Sequence, residues 1–134
     1  MLERNKDMIR RYAQTILTGQ QYDCLDEFIE ADFVDHRGSV PITGANELRT
    51  QMQRIHQGFS GLDFQVVHLV AEGDIVVVHF HVPGVHQGGF AGIVESGQAV
   101  TWKGVMIYRI GDNGKLCEGW GYWNDAEIVA ALQL

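Results

Sequence analysis

Two histidines one residue apart sit near the middle of the chain, within Ile75-Val76-Val77-Val78-His79-Phe80-His81-Val82. Side chains alternate faces along a strand, so His79 and His81 share a face with Val77, while Val76, Val78, Phe80 and Val82 share the other. Imidazole, with an unperturbed pKa of about 6.5, exchanges protons near neutral pH, which makes either ring a candidate catalytic base. The next stretch, Pro83-Gly84-Val85-His86-Gln87-Gly88-Gly89-Phe90-Ala91-Gly92, adds a third imidazole. Two imidazoles at alternate strand positions can chelate a metal, and His86 from the following loop would complete an open site, so His79, His81 and His86 also form a candidate metal set. His86 can equally serve the shape of its glycine-rich loop. His56 and His68 fall in no motif and read as surface or packing residues.

The elements that would hold these groups divide the chain in two. Apolar spacing predicts a helix over 5–19, capped by Asn5, with Met8, Ile9, Tyr12, Ile16 and Leu17 on one face. A second, short helix starts at Asp23 and buries Leu25, Phe28 and Ile29. Residues 33–38 read as a short extended piece and turn, and a third helix opens after Thr43-Gly44 with Leu48, Met52, Ile55 and Phe59 on its stripe. Four strands follow over 62–71, 75–82, 99–110 and 116–124, and their short connections predict an antiparallel meander. Gly104, Gly119 and Gly121 mark bends in the sheet. The expected architecture is α+β, one domain over 1–134: N-terminal helices packed on a curved antiparallel sheet that encloses a pocket. Because Val105 and Ile107 lie on the face of 99–110 away from Trp102 and Met106, a second copy is expected to cover part of the sheet and form a homodimer.

Composition narrows the partners. The 134 residues, 46% apolar, are enough for one core, and a net charge of −7 with no basic stripe argues against nucleic acid and anionic membranes. No apolar run has the length of a membrane span and the start lacks an apolar leader, so a cytoplasmic protein is expected. Cys24 and Cys117 match no metal-ligand spacing and read as reduced thiols.

The order Ala71-Glu72-Gly73-Asp74-Ile75-Val76-Val77-Val78, Gly84-Val85-His86-Gln87-Gly88, Phe90-Ala91-Gly92, Tyr108-Arg109-Ile110, Gly114-Lys115-Leu116, Glu118-Gly119-Trp120 and Leu132-Gln133-Leu134 resembles the SnoaL-like polyketide cyclases. Those have the nuclear transport factor 2-like cone fold. The resemblance implies a cofactor-free enzyme that closes a ring by aldol addition on a small hydrophobic carbonyl compound, through an enolate. It places the pocket carboxylate six residues after Glu118, where this chain has Asn124, followed by Asp125. Asn124 can orient a water or donate to an enolate. Asp125 either caps a last helix over 126–132 or is brought to the pocket by a bulge at Gly119 or Gly121. His79 and His81 resemble in position the Arg-x-Asp pair of limonene-epoxide-hydrolase-like relatives, and so offer a replacement base. His36 resembles the family histidine at the pocket opening, and Trp102, Met106, Trp120 and Tyr122 have the parity to line the pocket and bind substrate. The alternative is a non-catalytic small-molecule-binding module of the same fold, in which His79, His81 and Asn124 orient an apolar ligand. The spacing of His79, His81 and His86 also comes close to the first cupin motif, with His86 where that motif has Glu, but the helical first half argues against a barrel.

Overall fold

The computed structural model describes residues 2–133. Helix α1 (Leu2–Tyr12) buries Met8, Ile9 and Tyr12 at helical spacing, and its wet face carries the Asp7–Arg10 pair at 2.6 Å. The chain then widens into a π-type turn over Ala13–Thr18, which keeps Ile16 in the core, and continues through a 3-10 turn over Tyr22–Glu27. The sequence reading carried a second helix through Ile29. Instead, Ile29–His36 form strand β1, because Ile29, Phe33 and Asp35 are buried on the helix-facing side and the Phe28 carbonyl accepts from Leu116 N at 2.8 Å.

Strand β2 (Ile42–Thr43) turns back on β1 and leads into α2 (Ala45–Gly58), entered through Gly44 at φ 92°, a conformation that favours glycine. Leu48 and Met52 form its buried stripe. Strands β3 (Phe59–Ser60), β4 (Gln65–Glu72), β5 (Ile75–His86), β6 (Ala99–Ile110) and β7 (Leu116–Trp123) follow, and α3 (Asp125–Leu132) closes the described chain. The strand order is β2-β1-β7-β6-β5-β3, with β4 also paired to β5. The sheet is therefore a meander with one departure from antiparallel pairing: β1 runs parallel to β7, an arrangement that needs a long crossover, here everything from β2 to β6.

One face of this sheet is apolar and covered by the helices. It carries Val76, Val78 and Phe80 from β5 and Val100, Trp102, Met106, Tyr108 and Ile110 from β6, all buried. Full burial of each such side chain contributes about 1.5–3 kcal/mol. On β7 the same face is given to Gly119 and Gly121, which pair opposite Tyr108 and Met106, and then to Trp123, opposite Gly104. Neither Gly104 nor Gly121 has room for a side chain. A Cβ at Gly104 would meet the Tyr122 carbonyl oxygen at 2.5 Å, and one at Gly121 would meet the Trp123 ring at 2.4 Å and the Met106 sulfur at 2.7 Å. The Trp123 indole thus folds back over Gly121, which positions it for the site.

The other face is mixed. There His81 stands beside Gln65 and Lys103, His79 beside His68 and Val105, and Val77 beside Val70 and Ile107. Trp120 and Tyr122 lie opposite Ile107 and Val105 on that same face. No helix among the described residues is long and apolar enough to cross a membrane.

Candidate active site

Between α2, the π-type turn and the apolar face of the sheet lies a cavity of about 280 Å³, walled by Leu17, Met52, Leu62, Phe64, Phe80, Val82, Phe90 and Met106. Its polar groups are few. Tyr12 and Tyr108 are buried, Arg37 is 29% exposed, Gln51 and His56 belong to α2, and Asp125 is exposed beside Trp102 and Trp123. An apolar enclosure with a small number of convergent polar groups is the usual form of a small-molecule site.

Asp125 is the first residue of α3. Its Oδ1 accepts hydrogen bonds from two indoles, Trp102 Nε1 at 3.1 Å and Trp123 Nε1 at 3.0 Å. Trp102 is fixed in turn by edge-to-face packing on Phe59, with ring centres 4.7 Å apart, and on Phe90 at 5.8 Å. The carboxylate is thus clamped by one oxygen, and among the described residues the second has no protein partner. The cap that the sequence reading allowed to Asp125 is made by its neighbour: Asn124 Oδ1 accepts from Glu127 N at 3.3 Å. Asn124 is not among the residues that line the cavity.

Arg37 donates to Asp35 Oδ2 through Nε at 2.9 Å and through Nη2. Asp35 is 1% exposed, and its Oδ1 has no hydrogen-bond partner among the described residues. Burial pulls the Arg37 pKa down, and the hydrogen bonds and charge of Asp35 more than offset this, so the guanidinium stays charged. The Tyr12 and Tyr108 rings meet edge to face at 6.0 Å. Burial pushes both phenols well above the usual tyrosine range, so both remain hydroxyl donors. Arg37 also lies over the Trp123 ring, 5.1 Å from its centre, so a single indole separates the cation from Asp125.

His56 is held at both ring nitrogens. Nε2 lies 2.9 Å from the Leu17 carbonyl oxygen, which can only accept, so Nε2 carries the proton and Nδ1 accepts from the Tyr22 hydroxyl. Burial pushes the Tyr22 phenol up to about 12, which keeps it a donor.

The remaining expected site residues divide by strand face. Trp102 and Met106 line the cavity. Asp125 lines it too, although β7 pairs with β6 in unbroken register through Gly119 and Gly121, so no bulge at either glycine brings it there. His79, His81, His36, Trp120 and Tyr122 do not. They lie on the opposite face of the sheet, where His68 and His79 meet with Nδ1 atoms 3.0 Å apart, and His36 stacks on Trp120 and bonds Glu118 at 2.8 Å. The alternation that puts His79 beside Val77 is as expected. The correction concerns which face meets the helices: the wholly apolar one, with Val76, Val78 and Phe80, does so. His86 belongs to that inner face, fully buried, with Nδ1 2.8 Å from Ser96 Oγ. It therefore cannot converge with His79 and His81, and no group of three candidate metal ligands comes together among the described residues.

Sequence reasoning passed over Tyr12, Arg37, Tyr108, His56 and Trp123. Arg37 had a signal, since with Phe33 and Asp35 it continues the alternation of one extended segment.

The helices and the curved sheet together make an α+β cone with an apolar cavity against the inner face of the sheet. The family model of the SnoaL-like polyketide cyclases matches residues 6–132, and the chain belongs to that family. The fold is the nuclear transport factor 2-like cone. A protein of Jannaschia sp. CCS1 described as a SnoaL-like polyketide cyclase is similar over 97% of this chain and 92% of its own, at 22% identity and a TM-score of 0.89. AclR of Streptomyces galilaeus, described as a hydroxylase, aligns over 99% of this chain and 98% of its own, at 22% identity and a TM-score of 0.89. IdmH of Streptomyces antibioticus, described as a polyketide cyclase, aligns over 97% and 99%, at 20% identity and a TM-score of 0.84. No curated protein matches the sequence.

Proposed function

We propose that the chain is a cofactor-independent acid/base enzyme that enolises a small, mostly apolar carbonyl compound and closes a ring by aldol addition, with Asp125 as base. The observation that carries this reading is the Asp125 carboxylate, clamped through Oδ1 by Trp102 and Trp123 at the edge of an apolar cavity. A fixed carboxylate with one free oxygen beside a bound carbon acid has the position general base catalysis requires. Asp125 takes the proton from the carbon between two carbonyls, and the enolate carbon attacks a further carbonyl of the same molecule. A carbon–carbon bond forms, and the attacked oxygen takes a proton from the Asp125 carboxyl to become a hydroxyl, which returns the base. Family membership supports the class of reaction, and the wall residues support an apolar substrate body.

The test is exchange of the α-protons of ethyl benzoylacetate in deuterated buffer, followed by proton NMR. The protein is expected to accelerate exchange well above buffer. Binding of the probe without any acceleration would contradict catalysis and assign the cavity to a binding module.

For assembly, the outer face of the sheet supports a homodimer, because Val67, Val70 and Tyr122 are exposed there, Tyr122 to 61%. Sedimentation is expected to give a dimer that Val70→Glu together with Tyr122→Glu converts to monomer. A wild-type monomer would contradict it.

A further inference from the structure

The mechanism just given uses Asp125 and leaves a second polar constellation in the same cavity without a task. Arg37 donates to Asp35 Oδ2 through Nε and Nη2, and its Nη1 has no protein partner among the described residues. The Tyr12 and Tyr108 hydroxyls border the same space, and each residue is under 5% exposed. Three donor groups thus adjoin one another on the cavity wall, and Asp35 neutralises the charge of Arg37. Arg37 Nη1 and the two hydroxyls are not sealed into the protein, so an acceptor bound in the cavity can reach them.

We propose that Arg37, Tyr12 and Tyr108 form an oxyanion cradle that holds the enolate oxygen of the substrate across the Trp123 ring from Asp125. The inference rests on the proton-transfer reading above and narrows its substrate class: a compound whose enolisable carbonyl leads into the cavity, with the acidic carbon toward Asp125. The Trp123 indole sets the separation, since Arg37 lies over its face at 5.1 Å and Asp125 accepts from its nitrogen at 3.0 Å. Asp125 and the cradle are thus one ring apart, close enough for one group to take the proton while the other receives the charge that leaves the carbon. Donors that are already fixed stabilise that charge with little reorganisation. A carbonyl that becomes charged only after its proton has passed to Asp125 does not raise the net charge of the cavity.

The test uses 4-nitrophenol, whose anion absorbs at longer wavelength than the phenol and mimics an enolate oxygen on an apolar ring. Absorbance titrations with the protein in excess report how the bound probe ionises, with Asp35, Arg37, His56 and Asp125 as the charged or titratable groups that face or adjoin it. The cradle predicts that bound probe ionises about one pH unit or more below free probe. That shift should disappear in the Asp35→Asn/Arg37→Gln double variant, which removes both charges together. Tyr12→Phe and Tyr108→Phe keep their rings and core packing, and each should lower phenolate affinity about tenfold. Bound neutral phenol, no bound probe, or an ionisation shift that survives all three variants would overturn the cradle. The two readings fail separately. Exchange of ethyl benzoylacetate with no probe ionisation removes the cradle and leaves Asp125 as base, and probe ionisation without exchange keeps the cradle and removes the base.

Discussion

Asp125→Asn is expected to slow α-proton exchange of ethyl benzoylacetate by about a hundredfold or more, in the range a positioned general base contributes. The substitution is a narrow one. An amide oxygen can still accept from Trp102 Nε1 and Trp123 Nε1, now 3.1 Å and 3.0 Å from Asp125 Oδ1, so the clamp and the wall of the cavity survive. What is lost is the basic oxygen that faces no protein donor. Probe affinity should stay within a few-fold of wild type, which makes the effect one of rate. His79→Gln and His81→Gln should leave exchange unchanged, because those rings pair across strands with His68, Gln65, Val105 and Lys103 on the far side of the sheet. A loss of exchange in either histidine variant comparable to that in Asp125→Asn would return the base to the outer face.

Arg37→Ala is expected to destabilise the fold by about 3 kcal/mol, the scale for stripping a partner from a buried charge. Asp35 is 1% exposed, and its Oδ1 has no partner among the described residues, so both of its hydrogen bonds to side chains come from Arg37. The contact of the guanidinium with the Trp123 ring is lost as well. Urea unfolding checks this, and the informative comparison is a double-variant cycle. Adding Asp35→Asn to Arg37→Ala should recover more than half of the loss, since the stranded charge is then gone. Additive losses would show that the pair is held for its packing and not for its charge.

Much of the architecture is legible in the residue pattern. Met8, Ile9 and Tyr12 on one helix face, Leu48 and Met52 on another, and the alternation through Val76, Val78 and Phe80 report α1, α2 and β5, because each pattern matches the period of the element it forms. Strand β1 was hidden because Leu25, Phe28 and Ile29 also suit a helix face, and a short apolar run does not choose between the two periods. Its parallel pairing with β7 is a long-range contact that no local signal carries.

The site was half legible. Trp102 and Met106 follow strand parity into the cavity wall, whereas strand parity alone points Asp125 the other way and only its place at the start of α3 brings it there. Trp120 and Tyr122 misled because large aromatics suggest a ligand wall, whereas here Gly119 and Gly121 hold the inner positions and make room for the indole of Trp123. His79 and His81 lie on the face away from the helices, since a polar pair on a strand marks either a site or the side away from the helices, and only packing decides. Asp35 lies near the end of β1 with Arg37 just beyond it, a strand whose start the sequence does not announce, and the tyrosines look like ordinary core residues.

The most direct test of the account is a crystal structure of the protein soaked with ethyl benzoylacetate. It should place the ester between Trp102 and Trp123, with its acidic carbon within hydrogen-bonding reach of Asp125 Oδ2 and a carbonyl oxygen toward Arg37. Density for the ester on the opposite face, against His79, His81 and Trp120, with the cavity empty, would contradict it.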